Sequence, residues 1–297
     1  MDQAANLRKL ALRTRQGEPG IRAVDAPAGS PRIIAIASGK GGVGKTNLAI
    51  NMGILFAREG KRVVVMDADL GLANVNVILG VIPKYNLHHV LKGQKKLSEI
   101  MVDTPQGIKI IAGASGFSKL ANLNEQELGK FVSALEELSQ FDVVILDTGA
   151  GVSRNVLSFI IAAGEVIVVT TPEPTAITDA YGIIKSISAE SSGVSMKLVV
   201  NRVPNIAAGR KVAERVINIA GQFLNVKVEN LGLIYEDDVV VKSVVKQKPF
   251  VLAYPKSRAA YSVDHIVKNL LGIPVEEKQG GIGGFVKKFI TMYSGKD

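Results

Sequence analysis

From Arg32 onward the chain alternates between short, unbroken apolar runs and longer stretches whose apolar residues return every third or fourth position. The first pattern reads as a strand covered on both faces, the second as a helix with one apolar stripe. On that rule RIIAIAS predicts a strand, and KTNLAINMGILFAREG predicts a helix that stops at Gly60, because glycine accepts the left-handed turn that ends helices. RVVVMDAD and IKIIAG predict further strands, and NEQELGKFVSALEELSQ predicts a helix with Asn124 as its N-cap. FDVVILDTGAG and EVIVVTTPEP read as strands, followed by a helix from about Ala176, the strand MKLVVNRV and the helix AGRKVAERVINIAGQFL, which leads into VENLGLIYED. A final helix covers about Ser257 to Leu271. Strands and helices taking turns predict an α/β fold: a doubly wound, mostly parallel sheet with helices on both faces, in one domain over residues 32–273.

The ends break this rhythm. Residues 1–31 read as a flexible arm, with a short basic helix over Asp2–Arg15 and then the linker-like QGEPGIRAVDAPAGSP. Residues 274–297 read as a glycine-rich linker and a last helix, FVKKFITMYSGKD. Phe285, Val286, Phe289, Ile290 and Tyr293 fall on one face of that helix, with Lys287 and Lys288 on the other. Such a helix can lie in the interface of an anionic membrane.

Composition narrows the partners. The net charge of +9 favours anionic ones. With no cysteine, disulfides, thiolate metal sites and iron–sulfur clusters are excluded. Aromatics at 5% and no Trp argue against a surface that stacks nucleic-acid bases. No apolar run reaches the roughly 18–20 residues that span a bilayer, and the start lacks the apolar stretch of a secretory leader. His88, His89 and His265 read as surface or packing residues rather than as metal ligands.

The chemistry starts at Gly39-Lys40-Gly41-Gly42-Val43-Gly44-Lys45-Thr46, which fits G-x-x-x-x-G-K-[ST] between a predicted strand and a predicted helix. The glycines let backbone N–H groups turn inward around phosphate oxygens, and the helix adds its positive end. Lys45 is placed to reach the β- and γ-phosphates and Thr46 to put its hydroxyl on Mg²⁺. Gly39, Gly41, Gly42, Val43, Gly44, Lys45, Thr46 and Asn47 are therefore the candidate phosphate-binding residues. Lys40 is a second lysine that this plan does not need. G-K-G-G-V-G-K-T resembles the deviant Walker A motif of the MinD/ParA/nitrogenase-iron-protein family. That resemblance implies ATP and Mg²⁺ as ligands, ATP hydrolysis, and a homodimer in which Lys40 reaches the partner's nucleotide.

Asp67 and Asp69 close the second strand, and Asp147 closes VVILD, so carboxylates gather where sheets of this kind bind ligands. The family resemblance assigns Asp69 to the attacking water, Asp67 to the Mg²⁺ shell and Asn74 to a switch segment. Asp147 occupies the Walker B position, where a carboxylate orders the metal and its waters. Most of the family resembles D-x-P-A-G here. This chain has Gly149 in place of the proline, with Gly151 after it, and so resembles the flagellar branch. The resemblance further assigns Asn201 and Arg202 to the adenine, Tyr235, Glu236 and Asp237 to a base-flanking loop, and Glu173 and Asp179 to contacts with the partner's nucleotide.

The start, Asp2-Gln3-Ala4-Ala5-Asn6-Leu7-Arg8, resembles the D-Q-A-x-x-L-R activator motif of the flagellar MinD-like ATPases, the FlhG/FleN/YlxH family. Asp2, Gln3, Ala4, Leu7 and Arg8 carry it. The resemblance implies that this arm stimulates an FlhF-type signal-recognition GTPase. It also implies flagellar C-ring proteins of the FliM/FliN type and, in some bacteria, a flagellar transcription activator as partners. The C-terminal helix resembles the membrane-targeting sequence of MinD and its relatives. The expected protein is cytoplasmic and peripheral at the inner face of the cell membrane when ATP is bound, regulating flagellar number and placement. A division-site regulator of the MinD type and a ParA-type partition ATPase remain alternatives, although direct nucleic-acid binding is not expected. A metabolic enzyme on the same fold is the fourth reading.

Overall fold

A computed structural model describes residues 30–69, 74–113 and 133–274. The N-terminal motif, the C-terminal helix and Asn124 lie outside the described residues. An eight-stranded sheet runs through the centre in the order β3-β4-β2-β5-β1-β6-β7-β8. Its strands are β1 (Arg32–Ser38), β2 (Val63–Ala68), β3 (Met101–Asp103), β4 (Lys109–Ile111), β5 (Val143–Ala150), β6 (Glu165–Thr170), β7 (Ser195–Val203) and β8 (Val228–Tyr235). Every pairing is parallel except β3 with β4, at one edge.

Strand alternation sorts the apolar residues into two layers. Ile34, Ile36, Val65 and Ile145 point to one face, where α1 (Lys45–Arg58), α2 (Val75–Leu79), α9 (Phe250–Ala253) and α10 (Arg258–Leu271) cover them. Ala35, Ala37, Val64 and Val144 point to the other face. There α3 (Leu87–Leu91), α4 (Leu97–Ile100), α5 (Arg154–Ala163), α6 (Pro174–Glu190) and α7 (Ile206–Leu224) pack. The helix α8 (Asp238–Val245) completes the set between β8 and α9. Each fully buried Ile or Val contributes about 2 kcal/mol, so the unbroken apolar strands of the sequence are explained by cover on both faces.

Several boundaries shift in informative ways. The helix expected from about Ala176 starts at Pro174, which suits a first turn because its missing N–H would have had no partner there. Ser257 caps α10 by accepting the Ala260 N–H at 3.2 Å. Of the helix expected over 124–140, the described end is a 3₁₀ turn at Glu136–Gln140. β1 sits between β5 and β6, where the strand order reverses, and such a switch point is where open α/β sheets bind ligands.

Candidate nucleotide-binding site

The loop between β1 and α1 occupies that switch point. Gly42 and Gly44 adopt φ of 77° and 101°, a region that side chains rarely enter. The N-terminus of α1 has no side-chain cap and no acidic residue in its first turn, which leaves its backbone N–H groups to an anion. Gly39 is needed for a different reason. A Cβ there would lie 2.7 Å from the Cβ of Asp179, so α6 packs directly on the loop.

The two lysines part company. Lys45 is buried and folded into the loop, its Nζ donating to Ser38 Oγ at 2.9 Å. The Ser38 hydroxyl in turn donates to the Lys40 carbonyl at 2.7 Å. Burial lowers the Lys45 pKa, while Asp147 and Asp69 pull it back up. The Lys40 side chain instead leaves the loop, pairing with Glu173 Oε2 at 2.8 Å and Thr175 Oγ1 at 3.2 Å at the start of α6. That bond holds the Glu173 carboxyl below its usual range. Glu173 and Asp179, expected near a partner's nucleotide, thus touch the phosphate loop of their own chain.

Asp67 and Asp147 are register partners on β2 and β5. Asp67 spends its oxygens on backbone: Oδ1 accepts the Asp69 N–H at 3.0 Å, and Oδ2 accepts those of Asn74 at 3.0 Å and Val75 at 3.4 Å. It thereby fixes both described flanks of the segment expected to switch. Burial still pushes its pKa up to about 6, because desolvation outweighs those bonds. Asp147 is 1% exposed and pushed up to about 7, mainly by burial and also by Asp67. The Thr46 hydroxyl beside Asp147 counters part of that rise, yet Asp147 Oδ1 has no partner. A buried carboxylate oxygen without a partner beside a hydroxyl fits a hard divalent cation, which takes oxygen ligands and water. Thr46 and Asp147 therefore fit Mg²⁺.

Asp69 lies against Gly149. A Cβ on Gly149 would sit 3.2 Å from Asp69 Oδ1, so the glycine leaves the carboxylate its room. Gly151, at φ 91°, donates its N–H to the Ser38 carbonyl at 2.9 Å and ties the end of β5 to that of β1.

On the far side of the loop, the Asn201 amide donates to the Val43 carbonyl at 2.8 Å and Arg202 Nη2 to that of Gly42 at 2.9 Å. The hydrogen bonds around Tyr235, Glu236 and Asp237 run elsewhere. The Glu236 N–H reaches the Val203 carbonyl at 3.0 Å. Asp237 accepts the Val239 N–H at 3.1 Å as the cap of α8, and that of Ala259 at 3.3 Å. The Arg258 guanidinium covers the Tyr235 ring, 4.0 Å from its centre. Sequence reasoning missed Ser38 and Thr175. Ser38 stood immediately before the motif, which was the available signal, whereas Thr175 becomes a Lys40 partner only through the fold.

The chain is similar in sequence and fold to known proteins. Residues 34–250 match the CobQ/CobB/MinD/ParA nucleotide-binding domain. The chain is 34% identical to the antiactivator FleN of Pseudomonas aeruginosa over 87% of its own length and 93% of that protein's. It is 35% identical to the flagellum site-determining protein YlxH of Helicobacter pylori, over 88% of its own length and 90% of that protein's. The structure of the septum site-determining protein MinD from Pyrococcus horikoshii, complexed with Mg-ADP, superimposes with a TM-score of 0.67 at 26% identity, covering 85% of this chain and 98% of that one. With its deviant phosphate loop and its doubly wound sheet, the chain belongs to the flagellar MinD-like branch of the MinD/ParA family of P-loop ATPases.

Proposed function

We propose that this protein is an ATP-hydrolysing switch that pairs with a second copy of itself when ATP is bound and regulates the number and placement of bacterial flagella. The observation that carries the reading is the split between its lysines: Lys45 folded into the loop, Lys40 turned out to α6. The similarity to FleN and YlxH over most of each chain supports the flagellar role.

Mg²⁺·ATP, when bound, supplies the phosphoryl group that passes to water. Lys45 and the N–H groups of the loop stabilise the charge on the phosphates. Thr46 and Asp147 would hold the cation, and Asp67, whose oxygens accept backbone N–H groups, would add negative charge behind them. Asp69 accepts a proton from the attacking water, held in place against Gly149. Lys40 leaves Glu173 and Thr175 to meet the nucleotide of the second copy, which makes turnover conditional on pairing. In this reading the C-terminal helix binds anionic lipid weakly by itself, and a dimer presents two, which raises avidity. The N-terminal arm stimulates an FlhF-type GTPase, and C-ring proteins of the FliM/FliN type and a flagellar transcription activator are further partners.

Light scattering with ATP, ADP or no nucleotide, run beside liposome flotation, tests the core of the proposal. Asp69→Ala with ATP should form a dimer that floats with anionic vesicles, and a protein that stays monomeric there would sink the reading. The arm has its own assay: peptide 1–20 should stimulate the GTPase and its Gln3→Ala version should not. A second reading, placement of the division site, is favoured by the likeness to a MinD structure over 98% of that chain. A deletion strain with misplaced septa and normal flagella would favour it.

A further inference from the structure

Asn201 and Arg202 lie near the end of β7, where each donates a hydrogen bond to a carbonyl of the phosphate loop. Arg202 does so from φ 56°, a backbone conformation uncommon for a residue with a side chain. Its own N–H donates to Asn201 Oδ1 at 2.9 Å, which fixes the turn that aims the guanidinium. Contact is close, since a Cβ on Gly44 would fall 2.4 Å from Asn201 Nδ2.

A peptide unit is planar and trans, so its C=O and N–H point in opposite directions. The Gly42 carbonyl shares its peptide with the Val43 N–H, and the Val43 carbonyl shares its peptide with the Gly44 N–H. Drawing both carbonyls toward β7 turns both N–H groups away from it, which frees them for an anion. We propose that Arg202 is a positioning residue for the phosphate loop: with the Asn201 amide, its guanidinium sets the Gly42–Val43 and Val43–Gly44 peptides in the anion-binding orientation before a nucleotide arrives. This rests on the nucleotide-site reading above, and it gives Arg202 a task other than the adenine contact that the family resemblance assigns to it. The strained backbone of Arg202 is then the cost of a preorganised loop.

Inorganic triphosphate separates the two tasks, because it has the phosphates and no base. Its affinity and that of ATP are measured by titration calorimetry on the full chain, wild type, Arg202→Ala and Arg202→Lys, with thermal melting of each ligand-free variant as the check on folding. Arg202 is exposed, so neither change empties the core. Arg202→Ala should weaken both ligands by the same factor, about fivefold for one lost hydrogen bond. It should also speed amide exchange at Val43 and Gly44 in the ligand-free protein, and Arg202→Lys should recover part of both effects. A loss confined to ATP would assign Arg202 to the base and overturn the proposal. Unchanged affinities, or a loss matched by a general fall in melting temperature, would overturn it too. Wild-type protein that binds neither ligand would instead overturn the nucleotide site itself, and the proposal with it.

Discussion

β5 has one aspartate just before its start and another near its end, and the two live under opposite conditions. Asp142 is partly exposed and bound by Arg62 at 2.7 Å through both the backbone N–H and Nη2, which hold its carboxyl down to about 2. Asp147, within the strand, is buried, pushed up to about 7, and keeps one oxygen without a partner. The contrast extends across the sheet. At the edge where the strands begin, Arg32 pairs with Glu165 at 2.7 Å as Arg62 does with Asp142. At the edge where they end, Asp67 and Asp147 stand side by side, Lys45 is desolvated and Arg202 is strained. One edge satisfies its charges within the chain. The other leaves charge incompletely matched, which costs folding stability and suits a site completed by a cation and a polyphosphate.

The strongest way to break this comparison is to remove a carboxylate from the costly edge and find the chemistry unchanged. Asp69→Ala should lower ATP turnover by about 100-fold or more, the usual contribution of a positioned proton acceptor, while nucleotide affinity stays close to wild type. Single-turnover hydrolysis checks the first part and titration the second. Turnover within about twofold of wild type would remove Asp69 from the reaction.

The next largest effect is on stability. A carboxyl group whose pKa is raised by folding contributes stability that is fully present below its unfolded pKa and lost as pH rises through the folded one. For Asp147 that window runs from about 3.8 to about 7, and for Asp67 from about 3.8 to about 6. Each pH unit of the window carries about 1.4 kcal/mol. Ligand-free Asp147→Asn, neutral throughout, should therefore melt on the order of 5 °C above wild type at pH 8, with the difference vanishing near pH 4. Equal melting temperatures at pH 8 would mean that the buried edge carries no such cost.

How much of this contrast was legible in the sequence depends on the range of the interactions. The unbroken strands and the stripe of α1 followed from local periodicity, and the lysine loop from eight adjacent residues. The carboxylates of β2 and β5 could be placed because strand ends are readable and ligands gather there. β3 was not legible, since three residues are too few to show alternation. The donors that hold the loop were not legible either, because Asn201 lies 158 residues from Val43. The family resemblance puts Asp237 in a base-flanking loop, and its capping of α8 was not singled out, because an aspartate before a helix fits both descriptions until the fold is known.

The smallest effect sharpens the comparison from its quiet end. Asp142 has its pKa lowered, so its contribution is present above about 3.8 and lost as pH falls through about 2. Asp142→Asn should lower the melting temperature at pH 7 by less than about 2 °C, as partly exposed pairs do. The difference should shrink in about 1 M salt and disappear near pH 2. ATP affinity should not change, because Asp142 lies just before the start of β5, at the opposite end of the strand from the Ala150 that pairs with Ser38 beside the phosphate loop. A shift in ATP affinity above about threefold would mean that the two edges are coupled along β5, and Asp142 and Asp147 would then have to be treated as one system.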